Sequence, residues 1–586
     1  MAIIQALRED GFDPFFYDID GLRPSFEETE RFFAERKPDV LGISAVVSTA
    51  YTYTKRLTAM VRRVSPKTRI VLGGNMAASA ELLHRLAGVE ICVIGEGEVV
   101  SVNLMRALQA CTGGPLDYEA LGQVKGLTYL DPRGEMTFTG YELSLPAKEV
   151  FKPDFTILEQ FSRISNFVTD PMERSDFALD PRSHEAHRRG KKQINLVTAK
   201  GCVARCTFCH RWDKGYRPIP VDDILTRLGA LIERYNVGFV QFSDENFGSD
   251  RRQTEEFIRR IKAFDILWEV GGVRVRSVDP DLLRRMKDAG CVAVYYGMET
   301  GSPRILEIME KKATLQNNLD AARWTREAGL FTIFQMVLAM PGETPDTVAE
   351  TADFLKQVTQ DMPVAPRSLM SLNYIQALPG TPVYEYARHK GLIGRSLAAE
   401  EAYLMTISDI DAADDTKFLN FTDHDMLTVR SWRREIILDV VRHYYERQGH
   451  RPPPLWKFLL SRVSTAQPSS PAHPTADHHE HFRQRVIREY QTGGYFNIQR
   501  DMGYDLIVAY FWPLRRAALA MSLFRDELRR LSLGIFLEHL RDWARSHISS
   551  RKTGVPTESL RSLMTRLTPP ALTPTEGAMA PLRAGR

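Results

Sequence analysis

The chain is 586 residues long and 43% apolar, enough to fill three domain-sized cores. Its 77 basic and 74 acidic residues leave a formal charge of only +3, too balanced for an electrostatic nucleic-acid binder. Six cysteines at this length are too sparse for a disulfide framework. No secretory signal or transmembrane stretch is visible, so the expected compartment is the cytoplasm.

From the start of the chain, strand-like runs at 14–17, 40–44, 69–72 and 91–94 alternate with helical patterns at 53–64 and 78–86. This predicts a doubly wound, flavodoxin- or Rossmann-like domain with parallel strands over residues 1–124. Ligands of such sheets sit outside the carboxyl ends of the strands. There the chain carries Ser44-Ala-Val-Val-Ser48-Thr49, Gly73-Gly74-Asn75 and Gly95-Glu96-Gly97-Glu98. The segment Met1–Gly11 reads as a helix already under way, whereas the flavodoxin order needs an apolar central strand ahead of it. The first strand is therefore expected to be missing, which would weaken ligand retention. The dinucleotide fingerprint Gly-x-Gly-x-x-Gly is absent, which argues against a nicotinamide cofactor. A nucleotide-binding or ligand-free module remains the alternative, because fold does not fix function.

Residues 125–189 are read as a linker. Its last part is polar, and the run Arg188-Arg-Gly-Lys-Lys192 is taken as a solvated face. A β-rich stretch at 193–198 then feeds into Gly201-Cys-Val-Ala-Arg-Cys-Thr-Phe-Cys-His210. The C-x3-C-x2-C spacing of Cys202, Cys206 and Cys209 can place three thiolates on three corners of one cubane and leave the fourth iron free of protein ligands. Structural zinc instead wants two separated ligand pairs, and His210 is too close to Cys209 to complete a tetrahedron. Cys92, Cys111 and Cys291 read as core thiols.

Strands expected at 238–242, 268–275, 292–296, 332–338 and within 368–375 alternate with helices at 251–264, 280–289, 304–309 and 319–328. Together with 193–198 that makes six strand–helix steps, too few to close an eightfold barrel. A partial, open (β/α)6 barrel over 190–400 is expected.

The cysteine loop, with Phe208 before its last cysteine, resembles the signature of the radical S-adenosylmethionine (SAM) enzymes. In that family the free iron chelates SAM, and one electron from the cluster releases a 5′-deoxyadenosyl radical. The resemblance extends along the strand ends. Ser243-Asp244-Glu245-Asn246 stands where the family has a Gly-Gly-Glu that receives the SAM ammonium, leaving open whether Asp244 or Glu245 does so here. Arg274 and Arg276, expected on one strand face by its period of two, are candidates for the SAM carboxylate; a solvated strand end is the alternative. Tyr296-Gly-Met-Glu-Thr-Gly-Ser302 resembles the turn that brings a glutamate and a serine, here Glu299 and Ser302, to SAM. Met340-Pro-Gly-Glu-Thr344 and Leu378-Pro-Gly-Thr-Pro382 follow in the same order as in one subfamily.

In that subfamily a cobalamin-binding domain precedes the barrel, and the Gly-Gly and Gly-Glu-Gly-Glu loops of this chain look like its loops. The resemblance implies corrinoid contacts from Ser44, Ser48, Thr49, Gly73, Gly74, Asn75, Gly95, Glu96 and Gly97. No Asp-x-His-x-x-Gly is present to ligate cobalt from below. The cofactors so implied are a [4Fe-4S] cluster, SAM and cobalamin. The implied activity is methylation of an unactivated carbon by way of the deoxyadenosyl radical and methylcobalamin, with flavodoxin or ferredoxin as electron donor. A ring-forming or rearranging enzyme of tetrapyrrole-cyclase type would use the same residues, and a non-catalytic cobalamin sensor would not need the intact cysteine triad.

Residues 401–550 carry helical periodicity rich in Arg, Leu and Trp, interrupted at 464–479 by a Pro-, Ser- and His-rich separator. The aromatic stretch 504–524 contains two central arginines and makes a poor membrane span. These helices hint at a large apolar substrate, such as a lipid, tetrapyrrole or natural-product scaffold. Residues 551–586 are expected to be a disordered tail.

Overall fold

The computed structural model describes residues 1–449, except 47–49, 112–113, 150–153, 172–174, 211–214, 363–365, 409–416 and 448, together with residues 533–548 and a few positions shortly before them. The expectations for 464–479 and 551–586, and for nearly all of 504–524, fall outside the described residues.

The N-terminal sheet has five strands in chain order. Strands β1 (Val40–Ser44), β2 (Arg69–Gly73) and β3 (Ile91–Val93) run parallel, joined by helices Tyr51–Val64 and Ala80–Leu86. β-Branched and leucine residues make the strands, and Leu57, Met60 and Val61 turn inward from the first crossover helix. An antiparallel hairpin, β4 (Leu127–Leu130) and β5 (Met136–Phe138), extends the sheet. The domain thus runs past the boundary expected at 124, because Leu127 and Tyr129 close one core with Val100 and Leu104.

Residues 14–17 form no strand. Among the described residues β1 is the edge of its sheet, with no further strand beside it to pair with them. Their aromatic side chains pack instead, Tyr17 stacking on Phe32 at 4.2 Å and Phe15 meeting Phe161 edge-on at 4.9 Å.

The connector is more buried than its composition predicts. Phe177 packs edge-on against Phe239 at 5.1 Å. Arg188, read as solvated, is 6% exposed because it reaches Asp265, whose carboxylate and carbonyl both accept from it at 2.6 Å. A buried guanidinium must be paired in this way.

The second sheet has six parallel strands. In chain order they are β6 (Lys192–Leu196), β9 (Val237–Phe242), β10 (Leu267–Val273), β11 (Cys291–Glu299), β12 (Phe334–Leu338) and β13 (Met370–Tyr374). The spatial order is β13-β12-β11-β10-β9-β6, an open half-barrel with β6 and β13 as its edges. Between β6 and β9 lies a short antiparallel pair, β7 (Ala199–Lys200) and β8 (Arg217–Pro218), whose arms flank the cysteine loop. Phe242, Phe257 and Trp268 meet edge-on at 5.2–5.9 Å beneath the outer helices. The Trp268 indole donates to the Ala289 carbonyl at 2.8 Å.

Beyond the half-barrel the described chain is helical. Helix Leu397–Ile407 docks on the N-terminal domain, Glu401 accepting from Tyr51 at 2.6 Å and pairing with Lys55 at 2.5 Å. Helix Met426–Arg447 lies along helix Pro345–Thr359, held by the Lys356–Asp439 pair. No described helix is long and apolar enough to cross a membrane.

Candidate active site

The six parallel strands all end on one rim, and the cysteine loop leaves from the first of them. Its middle residue anchors it: Thr207 donates its backbone N–H to Met309 at 3.0 Å and its hydroxyl to Ile308 at 3.1 Å, and accepts from Val383 N–H at 3.1 Å. The loop is therefore pinned to the ends of two helices that follow later strands. Cys202, Cys206 and Cys209 form no disulfide; the first two are half-buried and the third is exposed. Burial pushes the Cys206 thiol up, and the nearby Lys311 and Arg274 offset this only in part. Among the described residues no three His, Cys, Asp or Glu side chains converge on a single-ion site. A cubane takes each thiolate on a separate iron, and three cysteines outside any disulfide on one anchored loop fit that demand.

The strand ends divide into scaffold and open polar groups. Asp244 is scaffold: its Oδ1 accepts from Thr198 N–H at 2.8 Å, Ala199 N–H at 2.6 Å and the Thr198 hydroxyl at 3.2 Å, tying β9 to the turn before the cysteines. Burial pushes its carboxyl up to about 7 despite these donors. Ser243 and Glu245, on either side, are exposed. Asn246 is fully buried with neither side-chain amide atom hydrogen-bonded, and the buried Ser302 Oγ is likewise without a partner. Buried polar atoms normally find partners, so these two fit a donor- and acceptor-rich ligand such as SAM.

Arg274 and Glu299 are close enough to shift the Cys206 thiol in opposite directions. Arg276 is not their companion. β10 ends at Val273 and a 3-10 turn, Val275–Ser277, follows, so the period of two no longer applies; exposed Arg276 donates to the Lys312 carbonyl at 3.4 Å. Phe208 packs half-buried against the main core.

The loops of the N-terminal sheet face the same rim. Ser44, Gly73, Gly74, Asn75, Gly95, Glu96 and Gly97 line one cavity of about 2050 Å³. Ser48 and Thr49 lie outside the described residues. Gly74 has φ +91°, and a Cβ there would stand 2.5 Å from the Ala45 carbonyl oxygen, so only glycine lets the first two loops touch. Glu96, expected as a corrinoid contact, commits both oxygens to protein: one to Arg217 and Lys200 of the β7–β8 pair, the other to Leu145 N–H at 2.8 Å. Glu98 adds a contact with Lys200 at 3.6 Å. At a second meeting point, a Cβ on Gly380 would lie 3.2 Å from Ala78 and 3.6 Å from His210. The carboxyl ends of the two sheets thus face one another across the cysteine loop.

The Met340-Pro-Gly-Glu segment owes its shape to Glu343, which the sequence did not single out. Its carboxylate accepts from the backbone N–H groups of Ala339, at φ +66°, and Met340. Burial pushes it up to about 8. The acid is thus protonated when folded and ionised when unfolded over the range between the ordinary carboxylate value and about 8. The unfolded chain binds fewer protons there, so this contribution is complete in acid and is lost as pH rises through that range. Glu343→Gln keeps an acceptor for both N–H groups and removes the titration. Its melting temperature is expected to exceed that of the parent near pH 8 and to match it near pH 5, checked by thermal unfolding at both values.

Residues 196–355 match the Radical SAM superfamily, and residues 1–105 match the B12 binding domain. The half-barrel with its cysteine loop is thus a radical SAM domain. With the B12-binding domain ahead of it, the chain pairs the two domains of a cobalamin-dependent radical SAM enzyme, and the cofactors these domains imply are a [4Fe-4S] cluster, SAM and cobalamin. It is 26% identical over 385 residues to an uncharacterized methyltransferase of Pyrococcus horikoshii, covering 64% of this chain and 75% of that protein. It is 27% identical over 358 residues to the anaerobic magnesium-protoporphyrin IX monomethyl ester cyclase of Cereibacter sphaeroides, covering 59% of this chain and only 54% of the cyclase. Its fold resembles that of the radical SAM methyltransferase TsrM of Kitasatospora setae, solved with cobalamin and a [4Fe-4S] cluster bound, with a TM-score of 0.55 and 18% identity, covering 84% of this chain and 96% of TsrM.

Proposed function

We propose that the protein methylates an unactivated carbon of an apolar small molecule. The observation that carries this reading is the meeting of the two carboxyl-end rims, which lets one substrate carbon be reached from the barrel side and from the B12-binding side. Bound there, the cluster with SAM would supply hydrogen abstraction by a radical, and the cobalamin would supply a transferable methyl group. Cys202, Cys206 and Cys209 hold the cluster. Phe208, Ser243, Glu245, Asn246, Arg274, Glu299 and Ser302 hold SAM, while Asp244 fixes the turn that carries the loop. Ser44, Gly73, Gly74, Asn75, Gly95 and Gly97, with Ser48 and Thr49, hold the corrinoid, and Glu96 locks that surface to the barrel. Orientation of this kind removes much of the entropic part of a barrier. A flavodoxin or ferredoxin in the cytoplasm is the electron source this chemistry needs.

Similarity to a methyltransferase supports methyl transfer. Similarity to the tetrapyrrole cyclase supports a second reading, ring closure on the same residues, and a large apolar substrate. SAM labelled with deuterium in its methyl group separates them. Label in the product carbon, with deoxyadenosine formed alongside, is expected; an unlabelled, oxidised and cyclised product would establish the second reading instead.

A further inference from the structure

Lys311 lies in the turn after helix Pro303–Ile308. Its ammonium is 2.6 Å from Glu299 Oε1, and the two side chains are 16% and 11% exposed. The pair occupies space that Gly297 leaves open: a Cβ there would stand 2.3 Å from Glu299 Oε1 and 2.8 Å from Lys311 Nζ. The turn is rigidly defined, with Glu310 and Lys312 at φ +49° and +55° and the Lys311 N–H donating to Leu306 at 3.1 Å. Ile308 and Met309, just before it, are the residues that pin Thr207 of the cysteine loop. The ammonium is therefore held at a fixed place relative to Cys206.

A buried cation is tolerated only beside enough negative charge. Burial disfavours the charged ammonium, and the Glu299 carboxylate 2.6 Å away offsets this. Glu299 balances one positive charge, while Arg274 brings a second toward the Cys206 thiol. This pocket therefore becomes more favourable to its cations as negative charge accumulates on the loop.

We infer that Lys311 is a positioning residue that sets the reduction potential of the cluster on Cys202, Cys206 and Cys209, an inference that rests on the cofactor reading above. A [4Fe-4S] cluster takes one electron from a flavodoxin- or ferredoxin-class donor and gains one negative charge without a proton. A fixed ammonium shielded from water stabilises that added charge, and net charge near a cluster is one of the levers on its potential.

The test is an EPR-monitored redox titration of the anaerobically reconstituted full chain, without SAM, for the parent, Lys311→Met, Lys311→Arg and Glu299→Gln. At the parent's midpoint, Lys311→Met is expected to lower the reduced-to-oxidised ratio about tenfold, equivalent to about 59 mV for one electron. Lys311→Arg should keep the parent value, and Glu299→Gln, which leaves the ammonium unbalanced, should shift the potential upward. A Lys311→Met cluster with unchanged potential overturns the inference. If Lys311→Met does not assemble a cluster, Glu299→Gln decides: an upward shift supports the inference and an unchanged potential overturns it. Failure of the cofactor reading would look different, since the parent itself would then show no reducible cluster, and the inference would fall with it.

Discussion

Cys206→Ala is expected to reduce deoxyadenosine formation to background while leaving the chain folded and its corrinoid bound. Two thiolates cannot hold a cubane in the orientation that a three-cysteine loop imposes, and radical formation depends on that cluster. The side chain is half-buried, free and outside the main core, so removing one sulfur costs about 1 kcal/mol or less of stability. The loop keeps its anchor, because Thr207 and not Cys206 makes the bonds to Ile308 and Met309. Mass analysis for deoxyadenosine, with circular dichroism and the corrinoid absorption of the same sample, separates loss of chemistry from loss of fold.

Arg217→Glu is expected to uncouple the two halves. The guanidinium bonds Glu96 and also donates to the Leu145 carbonyl at 2.9 Å, within a contact where both side chains of the ion pair are largely shielded. A glutamate there would face Glu96 and Glu98 with like charge and leave Leu145 without its donor. Breaking a shielded pair in this way costs more than removing an exposed one. SAM cleavage, which needs only the barrel residues, should persist. Product formed per deoxyadenosine should fall about 100-fold, the effect expected from an ångström-scale misplacement of reacting groups. The paired variant Glu96→Arg with Arg217→Glu should recover part of that ratio. Equal losses in both products would mean that the contact serves only the barrel.

The barrel was legible because each of its strands is a short apolar run bounded by polar turns, and all six came within a few residues of their observed limits. The cysteine loop was legible because its chemistry is local in sequence. What escaped was whatever depends on distant partners. Asp244 and Glu245 are indistinguishable by sequence, and only the backbone of Thr198 and Ala199 makes the first a scaffold residue. Glu96 stands in a glycine-rich loop that invites a ligand role, yet its charge is answered by Arg217, 121 positions away. Arg276 was misplaced because a strand ended two residues early. Residues 14–17 have strand composition, but pairing belongs to the neighbours and not to the segment itself. Lys311 and Glu343 carried no motif signal beyond their presence near turns that did.

One chain is expected to bring a cluster with SAM and a corrinoid to the same face. The most direct measurement is anaerobic reconstitution with iron, sulfide and hydroxocobalamin, removal of unbound cofactors, and assay of that same sample for cluster, corrinoid and deoxyadenosine after reduction with SAM. The expected result is a single species holding both cofactors and forming deoxyadenosine. A sample that binds an intact cluster and corrinoid yet leaves SAM uncleaved would contradict the account, and so would one that cleaves SAM but never retains a corrinoid.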